Sequence, residues 1–288
     1  MSNTAWAALF AVFIWWFSTG IVLLLNGMQR KSYRWSLLVS SGLGLAGLYA
    51  LVHTAQQAGT AAVYGAFASA LLVWGWHELS FLTGWITGPR TTAISPTLQG
   101  WSRFVEAVRA ILWHELAILV VGVLILVMTW GAPNQAGTWT FLVLWSMRTS
   151  AKLNLFFGVR NLSEEFLPPH LAYLESFFRR RAMNFLLPFC VTAAAGVLAL
   201  MVGRALSPET SEEQALVLTL VGTMLALAIL EHLMLVLPVS TSALWRWAMG
   251  KRKPPSGNEP SSPNDKNALR AEAAPLPLDN DDKLLHAR

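Results

Sequence analysis

Two copies of Trp-His-Glu-Leu, at 76–79 and 113–116, and the reversed pair Glu231-His232 place three imidazoles and three carboxylates in otherwise apolar stretches. Ionisable side chains are costly in hydrocarbon, so three such pairs on three separate stretches call for a common cause. Imidazole with carboxylate suits iron, manganese or zinc. Neighbours on a helix diverge by about 100°, so a single His-Glu pair does not chelate one ion. Three pairs facing a bundle axis could instead supply two adjacent metals. On this reading His77, Glu78, His114, Glu115, Glu231 and His232 are the candidate metal ligands. The Glu-x-x-His spacing of di-iron bundles is absent, and neither His-Glu-Leu continues to His-Glu-x-x-His, so the dinuclear pattern is incomplete.

Other polar residues would surround these ligands. Arg148 and Lys152 share a helix face by their i, i+4 spacing, and Asn154 follows them, giving a second layer of cations and an amide. The segment after them holds Glu164, Glu165 and His170 around Pro168-Pro169, and could fold back as a lid that adds ligands, or as a short interfacial helix. Three other readings use the same residues. The carboxylates could pair with Arg148 and Lys152 in a network that fixes helix register. One histidine could ligate the metal of a tetrapyrrole, with Trp74, Trp76 and Trp113 as stacking surface. A proton relay through the carboxylates would need a second half-channel, which the sequence does not offer.

The elements that must position these groups are membrane helices. The chain has 288 residues, 54% hydrophobic and 13% charged, with mean hydropathy +0.46, far from the makeup of a soluble domain. At roughly twenty apolar residues per crossing, the expected fold is an all-α polytopic bundle with spans near 5–26, 35–55, 61–86, 104–130, 138–159, 183–203 and 215–238. The bundle would occupy 1–249. Residues 250–288, rich in Pro, Ser, Asn and charge, are expected to form a disordered cytoplasmic tail. The first apolar run lacks a basic leader and a small-residue cleavage site, so it is expected to remain as a helix.

Lys and Arg gather on one side, at Arg30, Lys31, Arg34, Arg90, Arg103, Arg160, Arg179 to Arg181, Arg246 and Lys251 to Lys253, against Arg204 alone on the other. That asymmetry predicts an outer N-terminus and an inner C-terminus. It also makes membrane lipid, and not nucleic acid, the partner of the +5 net charge, with headgroup contact expected at Arg179 to Arg181. The lone Cys190 excludes a disulfide framework or a CxxC site within the chain. With this topology the three His-Glu pairs fall at one depth, in the cytoplasmic half of their spans.

Several longer motifs add a resemblance. HELSFLTGWITGPR at 77–90, WHELA at 113–117, RTSAKLNLFFGVRNLSEEFLPPHLAYLESFFRRR at 148–181 and LEHLMLVLP at 230–238 resemble the PuhE family, photosynthetic complex assembly proteins of purple phototrophic bacteria. The resemblance runs from the first span to the seventh and leaves the tail after Gly250 uncovered. It implies a bacterial inner (intracytoplasmic) membrane location. It also implies a role in building the photosynthetic apparatus or adjusting bacteriochlorophyll supply, with reaction-centre or light-harvesting subunits or a pigment precursor as partners. It brings no established catalytic residues. The expected function is therefore an integral membrane factor for assembly or bacteriochlorophyll supply. The main alternative is a metal-dependent oxidase or hydroxylase, with iron or another divalent metal, acting on a tetrapyrrole or another lipid-soluble intermediate.

Overall fold

In the computed structural model, which describes residues 3–237 and 241–249, the regular structure is helical. The order is α1 (Asn3–Asn26), α2 (Tyr33–Ala55), α3 (Thr60–Leu82), α4 (Gly100–Met128), α5 (Ala136–Phe157), α6 (Leu186–Ala205), α7 (Glu212–Met234) and the short α8 (Arg246–Met249). The expected all-α class is found. The tail expected at 250–288 lies outside the described residues.

Among the described residues, five helices are long and apolar enough to cross a membrane: Thr4–Asn26, Arg30–Ala55, Gly100–Met128, Leu186–Ala205 and Glu212–Met234. The sequence reading also expected crossings at α3 and α5, which have comparable lengths of 23 and 22 residues and carry His77, Glu78, Arg148, Lys152 and Asn154. Packing accommodates them. Helix α3 lies against α1, α2, α5 and α7 and is buried along most of its length. A helix sheathed by others can carry polar side chains because its neighbours, not lipid, supply their partners. The outer helices show the reverse pattern, with Leu38, Val39 and Leu45 of α2, Val120 and Val127 of α4 and Leu200 of α6 exposed.

Small residues bring the inner helices close. A Cβ on Gly47 would lie 3.1 Å from Leu72 Cβ, and one on Gly44 would lie 3.2 Å from Trp76 Cβ. The Trp76 indole N–H donates to Ser41 Oγ at 2.9 Å across the same α2–α3 contact. The Ser41, Gly44 and Gly47 side of the SGLGLAG stretch at 41–47 is therefore a packing face.

One end of the bundle gathers the C-termini of α1, α3, α5 and α7 with the N-termini of α2, α4 and α6. There the chain between α5 and α6 forms 3-10 turns at Glu164–Phe166 and Pro169–Phe177. Leu171, Leu174 and Phe177 pack on Phe81, Leu82 and Ala110, closing the ends of α3 and α4. Trp245 is buried. Its indole donates to Trp16 O at 3.1 Å, while the Trp16 indole donates to Leu244 O at 3.0 Å.

The loop after α3 sets the position of the second Trp-His-Glu-Leu copy. Gly88 lies so close to α4 that a Cβ there would be 2.1 Å from Arg109 O and 2.6 Å from Ala110 C. Beside it, the His114 backbone N–H donates to Thr87 O at 2.9 Å, outside its own helix. Gly88→Ala should therefore lower the thermal midpoint of the detergent-solubilised protein, with a loss of about 1–3 kcal/mol for overpacking against backbone. Gly42→Ala, where a Cβ meets nothing within 4 Å, is the control and should cost nothing. Equal midpoints for the two variants would mean that the loop does not seat on α4.

Candidate functional site

Helix α5 puts two cations one turn apart into the bundle, and the flanking helices each answer with a carboxylate. Arg148 Nη2 donates to Glu78 Oε2 of α3 at 3.0 Å, and Lys152 Nζ to Glu115 Oε1 of α4 at 2.5 Å. The Glu115–Lys152 pair is largely withdrawn from the surface, its side chains 24% and 21% exposed, whereas Glu78, at 13%, is met by an Arg148 that is 44% exposed. Glu231 of α7 joins the group electrostatically through Arg148 and Glu78, with the Trp15 side chain of α1 within hydrogen-bonding reach. Three carboxylates face two cations, which leaves one surplus negative charge when all five are ionised.

The histidines go elsewhere. His77 is fully buried inside the rings of Trp74, Trp76 and Phe141, with centroids 6.4, 4.9 and 6.1 Å away. Neither of its ring nitrogens has a hydrogen-bond partner among the described residues. His114, also buried, lies 4.6 Å from the Phe81 ring, and its Nδ1 has no partner among them either. His232 is satisfied on both sides: Nδ1 donates to Ala228 O at 2.8 Å, so Nε2 accepts from the Ser150 hydroxyl at 2.9 Å. Asn154 is buried on the same side of α5. Its amide nitrogen donates to Ser150 O at 2.9 Å and its Oδ1 has no partner among the described residues.

Among the described residues, no group of three or more His, Cys, Asp or Glu side chains is arranged to hold a metal ion. The divergence of helical neighbours is the cause: in each Trp-His-Glu-Leu copy the imidazole turns toward aromatic rings while the carboxylate turns toward a cation. As arranged, the donor set does not fit a metal centre. The lid ligands expected at 160–178 do not reach it. Glu164 pairs with Arg180 at 3.0 Å, Glu165 is exposed, and His170 Nε2 contacts Leu82 O at 2.9 Å beside Gly84, whose φ is +78°. A Cβ on Gly84 would lie 3.0 Å from the His170 ring, so this residue needs both glycine's backbone freedom and its lack of a side chain. Burial, followed by the nearby Arg30, pushes the His170 pKa below its ordinary value against the opposing effect of the Leu82 contact. The segment covers the end of the bundle as an apolar plug.

Some residues that matter were not singled out from sequence. Asn184 donates to Asn154 O and Gly158 O at 3.2 and 3.0 Å, while its Oδ1 accepts from the N–H groups of Leu186 and Leu187. An asparagine just before an apolar run is an N-terminal capping signal, so this role was legible. Ser150, the partner of His232, carries no comparable signal.

The Glu115–Lys152 pair should behave as a buried pair does. Glu115→Gln or Lys152→Met alone strands one charge and should destabilise the protein toward the lower end of about 3–5 kcal/mol, since the pair retains some exposure. The Glu115→Gln/Lys152→Met double variant should recover much of that loss in a double-mutant cycle on thermal or denaturant unfolding. Additive single losses would mean that the two side chains are not coupled.

The family described as "Protein of unknown function (DUF3623)" matches residues 1–256. The chain is 36% identical over 262 residues, covering 89% of its own length and 94% of the relative's, to an uncharacterized 30.4 kDa protein in the puhA 5′ region of Rhodobacter capsulatus. No solved structure matches.

Proposed function

The chain belongs to the DUF3623 family, and on that footing we propose that it is an integral membrane factor serving photosynthetic complex assembly or bacteriochlorophyll supply. The photosynthetic part of this reading is supported by the PuhE resemblance and by a relative encoded in the puhA 5′ region. The observation that carries its non-enzymatic form is the pairing of Glu78 with Arg148 and Glu115 with Lys152. The carboxylates that a metal-dependent oxidase would need for its ions are engaged as counter-ions, and they lock α5 to α3 and α4.

In this reading α1 to α7 all cross the bacterial inner (intracytoplasmic) membrane. The N-terminus is outside, and the Arg-rich ends of α3 to α6 are on the cytoplasmic side, where basic residues concentrate. A pigment precursor would be addressed through His77 or His114, because each keeps an unpartnered ring nitrogen and a neutral imidazole is a ligand for a tetrapyrrole metal. His232 has no such capacity left. Client subunits of the reaction centre or light-harvesting complexes would meet the outer helix faces.

Deleting the gene in a phototrophic host should lower the amount of assembled reaction-centre and light-harvesting complex, read by membrane absorption spectra and restored by the wild-type gene. Unchanged complexes and pigments in the deletion strain would overturn the proposal. The metal alternative has its own readout. Elemental analysis of protein purified with and without oxygen should find iron, manganese and zinc well below stoichiometric. Stoichiometric metal lost in Glu78→Gln and Glu231→Gln would establish the oxidase reading instead.

A further inference from the structure

The end of α5 carries a second polar assembly, separate from the interior pairs. Arg103, on the first turn of α4, is buried, and its guanidinium lies 4.3 Å from the centroid of the Phe156 ring. It donates to Phe177 O at 2.5 Å and to Phe156 O at 3.4 Å. Arg179 and Arg181 lie close enough to repel its charge. Their side chains sit over Gly158, the Arg181 Cγ and Cδ each 2.9 Å and the Arg179 Cβ 3.2 Å from where a Cβ on that glycine would be. Backbone pairing holds the two arginines in place: Val159 N donates to Arg179 O at 3.1 Å and Arg181 N to Val159 O at 3.1 Å.

Three arginines therefore meet at the end of α5 with no acidic partner among the described residues. Within the Arg179–Arg181 run only Arg180 has one, Glu164 at 3.0 Å. Carbonyl oxygens account for Arg103 but leave Arg179 and Arg181 uncompensated, and like charges brought together without a counter-ion favour an anion between them.

What lies beside the cluster indicates which anion. A row of aromatic rings runs from Trp101 through Phe104, Phe156 and Phe157 to Phe185, with successive centroids 5.2, 5.7, 5.4 and 5.7 Å apart. Its two end members, Trp101 and Phe185, are 74% and 78% exposed, and Phe189 continues the exposed apolar surface along α6. The row begins on α4 and ends at the start of α6, both of which are long and apolar enough to cross a membrane. Exposed aromatics at such helix ends occupy the headgroup level of a bilayer. A soluble anion would have no use for the apolar surface, whereas a phospholipid would use both.

We propose that Arg103, Arg179 and Arg181 form a binding site for the phosphate of an anionic phospholipid, whose acyl chains run along Phe157, Phe185 and Phe189. The site depends on the membrane reading and not on the photosynthetic assignment. Arg103 contributes a fixed charge already oriented by its carbonyl contacts. The exposed Arg181 and half-exposed Arg179 close on the phosphate from outside.

The test is the thermal midpoint of the full-length protein in detergent, titrated with phosphatidylglycerol, phosphatidylcholine or inorganic phosphate at matched ionic strength. Phosphatidylglycerol should raise the midpoint more than phosphatidylcholine, and inorganic phosphate should have little effect. Arg179→Gln/Arg181→Gln should lose most of the phosphatidylglycerol response, while Arg30→Gln/Lys31→Gln, which removes two charges from the loop before α2, should keep it. Should the double variant fail to fold, Phe185→Ser decides the matter, since weakening the acyl contact should reduce the lipid response. An equal response to inorganic phosphate, an equal response to phosphatidylcholine, or equal losses in the two double variants would each overturn the proposal, as would an undiminished response in Phe185→Ser.

Discussion

The interior is organised around the two cations of α5, Lys152, which is largely withdrawn from the surface, and Arg148, which is 44% exposed, and around the carboxylates that meet them. A single Arg or Lys at the centre of a membrane helix costs roughly 2.5–3.5 kcal/mol on insertion scales. A contact between opposite charges about 4 Å apart returns about 4 kcal/mol at an effective dielectric near 20. Each cation is therefore tolerable only if a carboxylate meets it closely, and Glu78 of α3 and Glu115 of α4 do so. The two contacts fix the rotation of α5 and select α3 and α4 as its neighbours. Helix α7 is tied to α5 by the weaker Ser150–His232 contact and brings Glu231 to the same charge group.

This constraint explains what the sequence could and could not disclose. The helices, the two Trp-His-Glu-Leu copies, and the special status of Arg148 and Lys152 were all legible, because charge and histidine stand out against apolar runs. The roles were harder to read. A His-Glu dipeptide looks like one unit in sequence, yet on a helix its members serve different neighbours. His77 enters a box of Trp74, Trp76 and Phe141 while Glu78 reaches for Arg148. Six candidate ligands at one depth are consequently not six ligands around one point. Predicting rotation about each helix axis requires knowing which helices are adjacent, and adjacency is a tertiary property.

Two other features stayed hidden for related reasons. The burial of α3 against four other helices is a relation between helices that its sequence does not display. The approach of Gly88 to Arg109 O is a relation between a loop and a distant helix. A glycine followed by Pro89 suggests only a turn in the sequence. What it permits is the Thr87–His114 contact, which connects the end of α3 to the middle of α4.

Helix α5 also links the interior to the bundle end, and the sign of the charge it meets there is not accidental. Its last carbonyls carry the negative end of the helix dipole and need donors. Arg103 supplies one to Phe156 O, and Asn184 supplies others to Asn154 O and Gly158 O. A count of basic residues makes Arg103 a topology marker like Arg90 or Arg160, but its burial and carbonyl contacts make it a structural part of the α4–α5 junction. Once that junction is satisfied, Arg179 and Arg181 are charge in excess of what the fold needs. In the middle of α5 positive charge belongs to the helix and is neutralised within the bundle. At its end positive charge is brought in from other segments, exceeds the demand of the helix terminus, and is presented where the protein stops being enclosed by itself.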